Sequence, residues 1–591
     1  MYSENTMHDM IITGGQVFDG SGAEPVQADI AIKNGRIVEV GEVGEVGAAA
    51  QTIDARGAIV TPAWVDIHTH YDGQVTWDDE MNPSASHGVG TIVMGNCGVG
   101  FAPVAPGAEK DLIDLMEGVE DIPGTALYEG MPWGSWETYP EYLDFLAGRE
   151  YAINISSLVP HGAVRNYVMG DRGRTNQAAT EDDLVEMGRI VEEALKAGAV
   201  GFSTSRILGH RSIQGEPVPG TFANDTEVMV IAQALKRAGK GVFQIIPSST
   251  LGPGREGFRE HASLEQEIDL IANVSRESGR PATFTLFQID DWADKWREAI
   301  AQVKRANRNG ANVYPQVGSR PTGLVFGMQT YHLWMLKPTF RKLRDLPLGE
   351  LLAELRKPEV KQSILMEANE IDGVPVGSME FGISHIEPTF DTLFPLRSDS
   401  TYEPSQKESI ASLAAESNLS PESVLYDYLV AEPGRMAILF FTNYSEFNLD
   451  AVREMQLDSA TVTGLSDAGA HVSLIFDAVN PTYQLSYWTR DRTRGQTLPL
   501  AHVIHRATRR NAELFGFHDR GLIAPGMRAD INVIDYENLG LGELAIQNDL
   551  PAGGGRLMQG ARGYIATLID GVITRRHDED TGARPGRLVR S

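Results

Sequence analysis

The chain is predicted to be an α/β protein: a (β/α)8 TIM-type barrel, a small β-sandwich built from both termini, and a large insertion between barrel strands seven and eight. Three observations predict it. Eight short, nearly continuous apolar runs alternate with amphipathic stretches, as parallel strands covered on both faces do. Each run ends in polar residues, where such a barrel carries its chemistry. Strand-and-turn texture marks both ends of the 591 residues, a length that suits one large domain with additions.

Residues 1–62 read as the N-terminal part of the sandwich: MIITGGQVFDGSG, DIAIKNGRIVEVG with Asn34-Gly35 at a hairpin turn, then TIDARGAIVTP. The barrel takes 63–515. Its strands are expected to end at His68/His70, at Cys97, and in NISSLVPHG (154–162), AVGFSTSR (199–206), GVFQIIP (241–247), ATFTLFQ (282–288), NVYPQV (312–317) and ATVTGLSDAG (460–469). Between them, Thr180 with Asp183 makes a capping-box pattern, Leu184, Met187, Val191 and Leu195 keep helical spacing, and Gly198 closes the helix. Thr226 to Ala238 and Trp292 to Asn307 read likewise. Residues 318–459 form the insertion, far longer than a barrel loop needs, with a helix expected from Ser420-Pro421; a lid or pocket wall is its expected role. Residues 516–591 return to strands and turns in RGLIAPGMRADINVIDYE and GYIATLIDGVITRR, with a turn at Asp570-Gly571.

The 51 Lys and Arg against 80 Asp and Glu give a net charge of -29, which disfavours nucleic acid and anionic membranes as partners. One cysteine excludes an internal disulfide framework. The opening MYSENTMHDMIITGG has no basic region followed by an apolar core, and no apolar run reaches about eighteen residues. A soluble, cytoplasmic protein is expected, with a small-molecule substrate as partner and homo-oligomerisation left open.

In an extended strand alternate side chains share a face, so His68 and His70 project together as half a metal site. Cys97, just past the next strand, supplies a soft thiolate where those histidines could meet it. Asp467, after the last strand, faces the same basin and could touch a metal and accept a proton from its water. Each has an ordinary reading alone: a satisfied His-x-His pair, a small buried cysteine, a turn aspartate beside Gly469. The flanking sequence shifts that balance.

IITGGQVFDGSG with DIAIKNGRIVEVG, then VTPAWVDIHTHYD, SDAGAH and RGLIAPGMRADINVIDYE, together resemble the amidohydrolase superfamily. GNCGVGFAPV, LVPHGAVR (158–165), GFSTSR and DLPAGGGRLMQGARGYIATLIDGVI resemble its D-aminoacylase branch, the N-acyl-D-amino-acid deacylases. The resemblance spans nearly the whole chain except the insertion. It implies a barrel with a split sandwich and a metal-activated water, His68 and His70 as a metal pair, Cys97 as a thiolate ligand and Asp467 as the acid/base.

The family pattern then breaks. Its two further histidine ligands would lie on the fifth and sixth strands, where this chain has Gln244 and Leu286 or Gln288; glutamine is a poor zinc ligand. One Zn2+ per chain, or another divalent metal, is therefore expected on His68, His70 and Asp467, with Cys97 as fourth ligand. The family's substrate-carboxylate lysine and arginine are absent too. Tyr314 and Ser319 resemble the remaining contacts, and Arg320, Arg206 or His210 stand as replacements; equally, the substrate has no α-carboxylate. His161 and His471 either bind substrate and polarise its carbonyl or support other side chains. Phe284, Phe287, Trp292, Phe326, Tyr331 and Trp334 near the rim segments hint at an apolar or aromatic substrate, or serve as helix and insertion core. The expected activity is hydrolysis of an amide C–N bond of an N-acyl amino acid or related acylated amine. Hydrolysis of cyclic amides or esters, and a catalytically inactive barrel that binds a small molecule, are the alternatives.

Overall fold

Apolar runs buried on both faces do become the inner ring of the molecule. The structure, a computed structural model, describes residues 7–251, 262–397 and 400–591, leaving the MYSENT opening outside the described residues. The barrel strands are β1 (Trp64–Asp66), β2 (Val89–Met94), β3 (Asn154–Pro160), β4 (Gly201–Ser205), β5 (Val242–Ile246), β6 (Ala282–Thr285), β7 (Val313–Val317) and β8 (Val462–Thr463). They pair in sequence order as one eight-stranded parallel sheet. β1 and β8 are short, and the ring closes just beyond them: a parallel bridge joins Thr69 to Ala468, the His70 N–H donates to the Ala468 carbonyl (2.8 Å), and the Asp467 N–H donates to the His68 carbonyl (3.1 Å).

The strand residues Val65, Val93, Leu158, Val242 and Val462 meet Ala512, Leu514, Phe515 and Phe517 in one apolar cluster. This fills the barrel and leaves its strand C-terminal end for polar groups. The helices follow their local signals. Glu181–Ala197 starts at Thr180, whose hydroxyl accepts from the Asp183 N–H in a reciprocal capping box, and stops at Gly198 with φ 120°. Asp225–Ala238 and Lys295–Arg308 form where their spacing predicts.

Both termini share one nine-stranded mixed sheet. Ile59–Pro62, leading into β1, lies antiparallel to Ile531–Ile534 and welds the two ends together. Its core contains Ile12, Ile30, Val60, Ile531, Val533 and Leu568. Both predicted turns form with paired left-handed residues, Asn34 (φ 50°) with Gly35 (φ 71°) and Asp570 (φ 50°) with Gly571 (φ 74°), the geometry that suits the twist of a hairpin. A separate hairpin, Gly540–Gln547 with Arg556–Arg562, reaches the loop after β8, where the Leu557 N–H donates to the Val472 carbonyl (2.7 Å).

The insertion has its own three-stranded antiparallel sheet, Gly323–Gly327, Leu393–Leu396 and Met436–Phe440. Its helix Pro421–Ala431 is capped by Ser420, as predicted. Phe326 and Trp334 lie in the insertion's core with Leu352, Tyr426 and Leu439, which accounts for them as packing residues. The Val325 N–H donates to the Leu474 carbonyl (2.7 Å) and the Tyr331 hydroxyl to Asp121, so the insertion stands against the mouth of the barrel. Among the described residues no helix is long and apolar enough to cross a membrane.

Candidate metal centre

Beyond β1 the chain carries His68 and His70 into the barrel mouth, 1% and 2% exposed. Beyond β2 it turns at Gly95 (φ 80°), where a Cβ would lie 2.4 Å from the Leu158 carbonyl oxygen, and Cys97 itself takes φ 59°. Two inward side chains catch that turn. Gln244 Oε1 accepts from the Cys97 N–H (3.0 Å) and the Ser203 hydroxyl accepts from the Gly98 N–H (3.0 Å). Cys97 Sγ is thereby held 3.2 Å from His68 Nε2 and 3.6 Å from His70 Nε2, and one donor atom from each of the three lies within 4.8 Å of the others. Zinc bonds of about 2.0–2.3 Å at tetrahedral angles separate neighbouring donors by about 3.3–3.6 Å, and the two sulfur–nitrogen edges, 3.2 and 3.6 Å, lie close to that spacing.

The rings are aimed from behind. His68 Nδ1 is 2.7 Å from Gln316 Oε1, and His70 Nδ1 is 3.1 Å from Glu120 Oε1. With a metal bound, a proton on each Nδ1 facing these oxygens would leave the Nε2 lone pairs for the shared centre. Glu120 ends the helix Glu109–Glu120 and is 1% exposed. Burial pushes its carboxyl up, but the adjoining His70 outweighs this and brings it to about 2. Burial pushes the Cys97 thiol up to about 12, so thiolate ligation requires a cation to displace the proton.

Asp467 arrives from the loop after β8, fixed by the bond that closes the barrel. Its Oδ1 lies 3.3 Å from His68 Nε2 and 3.6 Å from His70 Nε2, and its side chain keeps 21% of its surface open. It borders the three-residue donor group on the histidine side, and its distances to the two Nε2 atoms match the spacing between neighbouring donors, so it is placed for both roles expected of it, metal ligand and proton acceptor. Burial raises its carboxyl, but His68 and His70 outweigh this and hold it at about 2, ionised and able to accept.

Of the other expected residues, Gln244, His210 and His471 gather here. His471 Nε2 is 3.8 Å from Glu120 Oε2, and His210, pushed down to about 4 by burial, feels the charges of Glu120, His70 and Asp467.

The rest are engaged elsewhere. His161 starts the helix His161–Met169, with Nδ1 2.8 Å from the Thr204 hydroxyl and Nε2 2.8 Å from Glu227 Oε1, leaving neither nitrogen for a carbonyl. Arg206 is tied to Glu267 (3.0 Å) and the Ala223 carbonyl (2.7 Å). Tyr314 packs low in the barrel beneath Arg510, whose guanidinium carbon is 4.5 Å from its ring centre. Gln288 donates to Glu446 (2.7 Å), and its backbone pairs with Asn443 in the insertion. The Ser319 hydroxyl donates to Asn480 (2.7 Å), which in turn holds the Leu465 carbonyl, so Ser319 braces the β8 loop. Arg320 donates to Asp477 (2.8 and 2.6 Å) and stacks on Tyr402.

Sequence reading missed Glu120 and Gln316. Glu120 follows Leu112 and Met116 at helical spacing on a buried face, and Gln316 is a polar residue inside an otherwise apolar strand. Those were the available signals.

Comparison with known proteins finds relatives in sequence and in fold. The chain is 30% identical over 313 residues to an N-acyl-D-aspartate deacylase of Alcaligenes xylosoxydans xylosoxydans, covering 48% of this chain and 58% of that protein. It is 35% identical over 245 residues to a D-aminoacylase of the same organism, covering 41% and 44%. These matches thus span about half the length of each relative. The crystal structure of an N-acyl-D-glutamate deacylase from Bordetella bronchiseptica, complexed with zinc and a phosphonate inhibitor, superposes with a TM-score of 0.63 at 22% identity over 99% of this chain and 100% of that one. That likeness establishes the D-aminoacylase-like fold. The sequence profile of the amidohydrolase family matches residues 51–575, and with so much of its length matched the chain belongs to the amidohydrolase family.

Proposed function

We propose that the protein hydrolyses the amide bond of an N-acyl amino acid or a related acylated amine at a single metal ion. The observation that carries this reading is the three-donor group His68, His70 and Cys97 with the ionised Asp467 at its edge. A zinc ion on those donors supplies Lewis acidity, lowering the pKa of a water from about 15.7 to about 7. Asp467 accepts a proton as the water oxygen bonds to the carbonyl carbon and the C=O pair moves onto oxygen. When the C–N bond breaks, Asp467 returns the proton to the departing nitrogen, so amide and water become acid and amine. The names of the relatives support the deacylase class.

One observation favours an uncharged substrate, such as a cyclic amide or an ester, as a second reading: Arg206 and Arg320 are each committed to a buried carboxylate and unavailable to a substrate α-carboxylate. Elemental analysis and turnover of a panel of N-acyl amino acids and neutral amides test the proposal. About one zinc per chain is expected, lost in His68→Ala and weakened in Cys97→Ser. Asp467→Asn should keep zinc while losing roughly 10²–10⁴-fold in turnover. No zinc after reconstitution would favour the small-molecule binder, and full activity in Asp467→Asn would remove the proton route.

A further inference from the structure

The wall of the barrel formed by β5, β6 and β7 carries buried polar atoms that no protein group satisfies: Gln244 Nε2, Thr285 Oγ1 and Gln316 Nε2. They share a face. In the parallel register Gln244 is level with Thr283 and Thr283 with Tyr314, so Thr285 and Gln316, level with each other, lie one inward repeat further toward the mouth. Gln244 and Gln316 are 0% exposed and Thr285 is 4% exposed.

The orientation of both amides follows from their partners. A backbone N–H requires an acceptor, so Gln244 must turn its oxygen to Cys97. When His68 Nε2 binds a metal, its Nδ1 carries the proton, so Gln316 must turn its oxygen to His68. Each amide therefore presents its N–H groups away from its anchor. A buried donor left without an acceptor costs about 1–3 kcal/mol, an arrangement that needs something to receive it.

The geometry points to Gln244 as a substrate-contacting residue: its side-chain N–H groups, on the wall shared with Thr285 and Gln316, donate to the oxygen of the substrate carbonyl. The inference rests on the hydrolase reading and adds the group that receives charge when the carbonyl pair moves onto oxygen. Gln244 suits this because its other end holds the backbone of Cys97, so donor and metal group are set by one side chain. Gln244→Glu tests it with little change of shape, since the carboxylate still accepts from the Cys97 N–H but offers no donor.

Acetate, a small carboxylate probe, is titrated calorimetrically into zinc-loaded wild type, Gln244→Glu and Thr285→Val, with zinc content measured on each sample. A crystal structure of the wild-type complex is determined alongside. The expected result is equal zinc content, affinity about tenfold weaker in Gln244→Glu, a smaller loss in the uncharged Thr285→Val, and an acetate oxygen within about 3 Å of Gln244 Nε2. Unchanged affinity in Gln244→Glu, or Gln244 Nε2 satisfied by water alone with acetate elsewhere, overturns the inference and leaves the metal reading standing. Absence of zinc from wild type overturns the metal reading itself.

Discussion

Glu120 shows how one buried carboxylate can decide the chemistry of a site. It meets His70 at 3.1 Å and His471 at 3.8 Å, and removing its charge takes away what keeps the His70 Nδ1 proton in place. Glu120→Gln should therefore bind zinc about 10–100-fold more weakly, as measured by competition with a chromophoric chelator, with near-normal thermal stability in the metal-free protein. Unaltered zinc affinity would show that Glu120 only fills space. At this scale the sequence singled out, from their position at strand ends, four residues that the fold brings together: His68, His70, Cys97 and Asp467. It misled where a strand end was not enough. His161 also follows a strand, but as the first residue of a helix it turns outward to Thr204 and Glu227. Glu120 and Gln316 were hidden because a second layer is built from pairs distant in sequence, 50 residues apart for Glu120 and His70 and 248 for Gln316 and His68.

Among the elements, the turn after β2 has the least freedom. Gly95→Ala would place a methyl group 2.4 Å from the Leu158 carbonyl oxygen in a left-handed conformation. Strain of about 1–2 kcal/mol from φ alone, plus that clash, should lower the thermal midpoint and also release zinc, because this turn presents Cys97. A melting curve and a zinc assay on the same sample check it; normal zinc uptake would mean the turn can relax without moving the thiol. All eight barrel strands were legible because burial on both faces leaves an apolar run in the sequence. The hairpin Gly540–Gln547 with Arg556–Arg562 was not, since its first strand is largely exposed and its pattern weak. The insertion's sheet was missed for another reason: its three short strands are separated by helices, and nothing local specifies which of them pair.

For the molecule as a whole, acid stability offers a test independent of catalysis. Burial alone would raise the Glu227 carboxyl, but His161 and Arg165 outweigh it and lower it from 4.5 to about 2. A depressed carboxylate adds stability above its unfolded pKa and loses it as pH falls through the folded value. Glu227 should therefore contribute on the order of 3 kcal/mol at neutral pH, lost between pH 4.5 and about 2. Urea midpoints measured across that window should fall less steeply for Glu227→Gln than for wild type; parallel slopes would rule out this pair as a source of acid sensitivity. The joining of the two termini was legible only as shared texture, because pairing between Ile59–Pro62 and Ile531–Ile534 leaves no local mark. The closure of the barrel carries a further consequence. The backbone bonds that shut the ring, His70 to Ala468 and Asp467 to His68, belong to the same residues that are proposed to bind the metal and carry the proton. Breathing of the cylinder along this line would pull the histidines from their proton carrier before any other wall parts. Deuterium uptake at the amides of His70 and Asp467 should therefore slow when zinc is loaded while β3 to β5 stay unchanged, making the ion a clasp on the barrel as well as its reagent.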